Sequence, residues 1–216
     1  MRTVLTRIGV AVATAAALVG CSNGGSGKPE QPEGTVAAQV CGGFAKDSTA
    51  ALKALMGSER FTEDLSRPGK ALKYLREFVR TGLQDPGRPQ GYTYCWLLPA
   101  GQGIADEDLA VDVRGVAGKA PRRDPGLGAT WFASGELAYA TESHGKVFFA
   151  CRLKTTDRPA VIETAVRAPA GRDDSDLRRR TQMITLANAA ARHISKELGC
   201  VDDKLAPGTP TPVAGS

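Results

Sequence analysis

The chain is poor in the residues that announce chemistry. It has two histidines, two tryptophans and an aromatic share of 6%. No two cysteines are spaced C-x-x-C, and neither His144 nor His193 has a second ligand near it in sequence, so the common zinc patterns are excluded. Ser134-Gly135 lacks the residues that would have to precede it in a G-x-S-x-G nucleophile elbow. Asp106-Glu107-Asp108, with Asp112 beyond, lacks the alternating oxygen ligands and central glycine of an EF-hand loop. It reads as a solvated loop before a strand. No spacing singles out a carboxylate pair for glycoside hydrolysis, and no nucleotide or other cofactor motif is present. Long hydrophobic runs are missing too. The apolar segment from Ile8 to Leu18 is too short for a spanning helix, which needs ~20 residues.

That short apolar segment has a context. Arg2 and Arg7 precede it without an acid, and Leu18-Val19-Gly20-Cys21 follows it. A basic n-region, an apolar h-region and a small-residue cleavage site make a secretory signal over residues 1–20. Leu-Val-Gly-Cys resembles the lipobox of bacterial lipoproteins, with Leu18 at −3 and Gly20 at −1. The resemblance implies that Cys21 carries a diacylglyceryl group and becomes the mature N-terminus. Each buried CH₂ of such a chain contributes ~0.8 kcal/mol, and two or three chains anchor stably. Residues 21–39 follow as a Gly/Ser/Pro tether with almost no large apolar side chain. Its span is about 20 Å for a flexible chain. The expected location is the extracytoplasmic face of a cell membrane.

Removing Cys21 from the five cysteines leaves Cys41, Cys95, Cys151 and Cys200. An even number in an exported chain reads as two disulfides. Four cysteines allow three connectivities. Cys41–Cys95 with Cys151–Cys200 is favoured, because each half of the domain then ties one helix end to one strand. Residues 40–202 are expected to form one domain, and the Pro/Thr-rich residues 203–216 a disordered tail. The formal charge of +5 falls to +3 once Arg2 and Arg7 are removed, with 26 basic against 23 acidic side chains. Export and mild basicity argue against nucleic acid. They permit contact with anionic lipid or wall polymer.

Periodicity supplies the elements. A first helix is predicted from Ser48 to Met56, capped by Asp47 or Ser48 and stopped by Gly57. A second runs from Gly69 to Thr81, capped by Ser66, with Ala71, Leu72, Leu75, Phe78 and Val79 inward. Lys70, Lys73, Arg76 and Arg80 line its other side. Strands are predicted at Tyr92–Leu97, Leu109–Val116, Trp131–Thr141, Lys146–Leu153 and Ala160–Val166. Residues 142–145 join the third and fourth as a hairpin. A long last helix follows the acidic cap at residues 173–176, with Leu177, Ile184, Ala187, Ala191, Ile194 and Leu198 on one face. The order is an α+β fold: an antiparallel sheet of about five strands, with two N-terminal helices and one long C-terminal helix packed on one face.

The stretch Val40-Cys-Gly-Gly-Phe-Ala-Lys-Asp-Ser-Thr-Ala-Ala-Leu-Lys-Ala-Leu55 and the stretch Ala189-Ala-Ala-Arg-His-Ile-Ser-Lys-Glu-Leu-Gly-Cys200 resemble uncharacterised small exported lipoproteins of Streptomyces and related actinobacteria. The resemblance covers about Cys41 to Cys200 and implies fold, not chemistry. The sequence therefore points to a membrane-anchored, non-enzymatic binding or accessory module, whose partner is an envelope protein, wall polymer or small molecule. The alternative is a wall-acting hydrolase of unrecognised type. Trp96 and Trp131 are read as strand aromatics rather than a sugar platform, His144 as a turn residue, and His193 as a packed or surface helix residue.

Overall fold

The computed structural model describes residues 33–63, 65–82, 91–102, 108–124, 128–141, 143–155, 158–169 and 177–214. The signal, Cys21, the carboxylates at 106–107 and the acidic cap at 173–176 lie outside them. In the described residues one helix layer packs on one antiparallel sheet. The strands are β1 (Thr35–Val36), β2 (Arg60–Thr62), β3 (Tyr92–Pro99), β4 (Leu109–Val116), β5 (Thr130–Phe132), β6 (Leu137–Ala140), β7 (His144–Cys151) and β8 (Ala160–Arg167). They lie in the order β1-β2-β3-β4-β8-β7-β6-β5. The helices are the single turn α1 (Val40–Gly43), then α2 (Thr49–Met56), α3 (Pro68–Thr81) and α4 (Leu177–Leu198), with a 3-10 turn at Lys46–Ser48.

The α+β class and the long last helix are as expected, but the sheet has eight strands rather than five. Three short ones account for the difference. β1 and β2 are too brief to show alternation. The segment expected as one strand from Trp131 to Thr141 is a hairpin, in which Trp131 pairs with Tyr139. β1 also shortens the tether from the 21–39 expected, since Thr35 pairs with Phe61 and Ala37 is buried. Low hydrophobicity hid this, because backbone pairing rather than side-chain burial holds these residues.

The tail is the larger correction. Residues 203–214 are laid against the domain rather than disordered. The amide of Ala133 donates to Thr211 O and that of Val213 to Trp131 O, both at 2.9 Å. Asn188, fully buried on α4, donates through Nδ2 to Ala206 O at 2.9 Å and Gly208 O at 2.8 Å, and its Oδ1 accepts from Ser134 Oγ at 2.6 Å. Prolines cannot complete a ladder, so the segment is fixed by alternate backbone groups and one buried amide. It also covers the β5 edge, which would otherwise offer unpaired N–H and C=O groups.

α4 buries Met183, Ile184, Leu186, Ala187, Ala190, Ala191 and Ile194 completely. Its small residues allow close approach: a Cβ on Gly145 of β7 would sit 2.8 Å from the Met183 carbonyl. Leu177, expected on the core face, is 51% exposed on the first turn of α4. α3 buries Ala71, Tyr74, Leu75, Phe78 and Val79 and keeps Leu72 partly covered. Gly57 and Gly82 stop α2 and α3 in the left-handed conformation, as expected. Ser66 is not the cap of α3. Its hydroxyl accepts from the Trp96 amide at 2.8 Å and donates to Trp96 O at 3.1 Å, which fastens the entry of α3 to β3.

Both disulfides have the favoured connectivity. Cys41 of α1 joins Cys95 of β3, and Cys200, just past α4, joins Cys151 at the end of β7. Among the described residues no helix is long and apolar enough to cross a membrane.

Candidate functional site

The helices all lie on one side of the sheet. Val111 and Val113 of β4, Ile162 and Val166 of β8, and Val147 and Phe149 of β7 face them. By strand alternation the residues between these point to the other side. That side divides into two halves.

One half is a second, smaller core: Trp131, Leu137, Phe148 and Val161 are buried together, with Ala120 and Val213 partly buried against them. The guanidinium of Arg123, between β4 and β5, lies 5.5 Å from the centre of the Trp131 ring. Trp131 is therefore a covered core aromatic, as read. Trp96 pairs with Ala110 on the same side of the sheet and is partly exposed, with its Nε1 buried and unpartnered among the described residues.

The other half is polar. Glu163 of β8, only 5% exposed at its side chain, accepts from Arg114 Nε of β4 at 2.6 Å and pairs with Lys146 Nζ of β7 at 3.2 Å. Asp112 of β4 accepts from Thr93 Oγ1 of β3 at 2.8 Å and from Arg167 Nε of β8 at 3.0 Å. The ladder sets these partners: Thr93 lies opposite Asp112, and Arg114 opposite Glu163. Two cations and their hydrogen bonds compensate the desolvation of a carboxylate so deeply placed. A hollow of about 260 Å³ opens beside this network, lined by Gly91, Tyr92, Thr93, Asp112, Arg114 and Glu163.

His144 stands at the end of the same face, not in the turn where the sequence put it. It begins β7, and its Nδ1 shares a 2.8 Å hydrogen bond with Ser143 Oγ. Its pKa is lowered, first by burial and then by Lys146 and Arg167, against an opposing pull from Asp112. Ser143-His144-Gly145-Lys146 also has the S-x-x-K spacing. On a helix that spacing would bring hydroxyl and amine together. Here it runs from a turn into an extended strand, and Lys146 is held by Glu163.

A second cleft, about 540 Å³, lies where the end of α4 meets the α1 turn and the chain past Cys200. Lys46, Asp47, Arg192, His193, Lys196 and Asp203 line it. His193 is partly buried, edge-on to Tyr94 with ring centres 6.2 Å apart. Burial lowers its pKa, with Lys196 adding to the fall and Glu197 opposing it. The Tyr94 phenol is pushed up to about 12 by burial, assisted by Glu197, and donates to Cys41 O at 3.3 Å. Ser195, almost wholly buried, donates its hydroxyl hydrogen bond to Asp203 Oδ2 rather than to His193. The cleft thus gathers mixed charges without joining the serine to the histidine.

Of the expected site residues, the four domain cysteines form the two bridges and Cys21 lies outside the described residues. The interlocked face at Thr93, Asp112, Arg114, Lys146, Glu163 and Arg167 was not foreseen. Its only sequence signal is charge at alternate positions in strands, and that signal is blunt. Among the described residues, no group of three or more His, Cys, Asp or Glu is placed to hold a metal ion. No family model matches the chain, and neither the curated proteins nor the solved structures contain a significant match to it.

Proposed function

We propose that this chain is a lipid-anchored extracytoplasmic lipoprotein whose domain is a non-catalytic binding module, and that it meets its partner on the helix-free face of the sheet. The observation that carries the reading is the Glu163 network beside its hollow. Six polar side chains from four strands are held in two adjoining triads, Arg114-Glu163-Lys146 and Thr93-Asp112-Arg167. Preorganised groups of this kind favour recognition because little ordering remains to be done on binding. The two disulfides suit an oxidising compartment, which supports export. The signal sequence and the Cys21 motif supply the anchor.

The test has two parts. Intact-mass analysis of the membrane-extracted protein should find a diacylated Cys21 at its N-terminus. A photo-reactive residue replacing Arg167, which is half exposed on the helix-free face, should give a discrete adduct in intact cells, and one replacing Lys53 on α2 should not. An unmodified mature Cys21 removes the anchor. Turnover of peptidoglycan or an ester by the purified protein, abolished by a single substitution at His193, would replace the binding module with a wall hydrolase acting in the second cleft.

A further inference from the structure

The charge of the chain is not spread evenly. α3 carries Lys70, Lys73, Arg76 and Arg80 against one acid, Glu77. That surplus of three equals the surplus of the whole chain after signal removal, 26 basic against 23 acidic side chains. All four basic residues are exposed and follow one another at steps of three, three and four, which places them on one helix face. The opposite face is buried through Ala71, Leu75 and Phe78, so the helix cannot turn the stripe inward. Arg76 Nη2 donates to Glu197 O at 3.2 Å and Arg80 Nη1 to Glu77 Oε2 at 3.4 Å, which orients both without covering them.

The position of this helix adds a second argument. The register of β1 on β2, Thr35 opposite Phe61 and Val36 opposite Arg60, carries residue 33 toward Glu63. The chain from Glu63 leads directly into α3 at Pro68. Residue 33 therefore lies toward the start of the basic helix. Residue 33 follows Cys21 by only twelve positions, so a lipid on Cys21 would hold α3 within reach of the headgroups.

From these observations we infer that the exposed face of α3 docks on the anionic lipid headgroups of the membrane that holds the anchor. The inference rests on the anchoring reading above and extends it to an orientation. With α3 against the bilayer, the helix-free face of the sheet points away from it, toward the envelope. A basic patch beside a lipid chain is also a known route from marginal to stable attachment.

The experiment separates docking from anchoring. The mature-length chain from residue 21, carrying Cys21→Ser and hence no lipid, is floated with vesicles of phosphatidylglycerol and phosphatidylethanolamine, or of phosphatidylcholine alone. Binding is expected on the anionic vesicles only, and should fall steeply with salt. Each basic side chain near an anionic surface is worth about a fivefold change in affinity. Lys70→Glu with Lys73→Glu should thus weaken binding by more than about tenfold, and Lys70→Arg with Lys73→Arg should preserve it. Both positions are exposed, and circular dichroism checks that the fold persists. Lys154→Glu with Arg158→Glu, exposed residues between β7 and β8, should change binding far less. Docking is overturned by no binding to anionic vesicles, by equal weakening from the second pair, or by binding to purified anionic wall polymer in place of vesicles. None of these results depends on whether native Cys21 is acylated.

Discussion

Removal of either disulfide should cost about 4 kcal/mol, and removal of both about twice that. The bridges close loops with sequence separations of 54 and 49 residues. In the chain-entropy account, loops of that length each withdraw about 4 kcal/mol worth of freedom from the unfolded state. The two loops do not overlap along the chain, so their effects should add. Alanine is the replacement of choice: Cys95 and Cys151 are fully buried, and a serine would bring an unpaired hydroxyl inside. Urea unfolding of the mature-length chain measures the loss. For a pair of Cys→Ala changes the midpoint should fall by more than about 1 M, given slopes of ~1–3 kcal/mol/M for small proteins. The slope itself should rise, because the released chain exposes more surface when it unfolds. The four-alanine variant should be close to unfolded, since about 8 kcal/mol is comparable to the whole stability of an ordinary domain. A loss below about 1 kcal/mol for either pair, or a four-alanine variant no weaker than a single-pair variant, would refute the reasoning.

Three further outcomes follow from particular contacts. Asn188→Ala removes both donors that hold Ala206 and Gly208 and leaves the Ser134 hydroxyl without its acceptor. It should cost about 2 kcal/mol or more and open residues 203–214 to limited proteolysis; continued protection of that segment would count against the account. Gly115→Ala would place a Cβ 2.4 Å from the Phe78 ring and should destabilise by about 1–3 kcal/mol. In a Phe78→Ala background the same change should become nearly neutral, and thermal melts of the four variants test the coupling. Tyr94, His193 and His144 contribute to the pH profile of stability. The Tyr94 pKa is raised in the fold, so its contribution is complete below pH ~10 and is lost as the pH rises toward 12. Both histidine pKa values are lowered, so the folded state favours neutral rings. Their contribution is complete above the ordinary histidine value near 6.5 and is lost as the pH falls below it. Tyr94→Phe should flatten the alkaline limb, and His193→Gln part of the acid limb, of stability measured against pH.

Much of the fold could be read from pattern because its larger elements are strongly periodic. β4 alternates in the structure as it does in the sequence, with Val111 and Val113 inward and Asp112 and Arg114 outward. β3 does not, and the reason is local. The register shifts between Thr93 and Cys95, so Tyr94 and Cys95 are both buried, and Trp96, not Cys95, goes to the outer face. Strict alternation would put Tyr92, Tyr94 and Trp96 on one side. A bulge of one residue undoes that, and alternation cannot report a bulge because it assumes its absence. The same bulge lets Tyr94 reach His193 while Cys95 meets Cys41. Segment 203–214 was misread for a different reason. Its composition does resist a packed core, but Asn188, which the sequence presents as a polar gap in an apolar helix face, supplies the binding groups from elsewhere.

The polar face was hidden by the way it is assembled. Glu163 lies in Ala-Val-Ile-Glu-Thr-Ala-Val, a run that reads as a buried strand, and it is indeed buried. What makes it informative is the company it keeps, and that company comes from positions 114 and 146. Sequence order cannot give the pairing, since β8 inserts between β4 and β7 and only the strand order brings the three residues abreast. In β7, Phe148 lies opposite Glu163, and Lys146 reaches it from the diagonal position, a neighbour that only a long side chain can exploit. Replacement of Lys146 by a short side chain would therefore remove one of the two cations beside Glu163 while leaving every backbone bond of the ladder in place. The site is a property of topology more than of any motif. A search by motif was bound to pass over it, even with each of its charged residues in plain view.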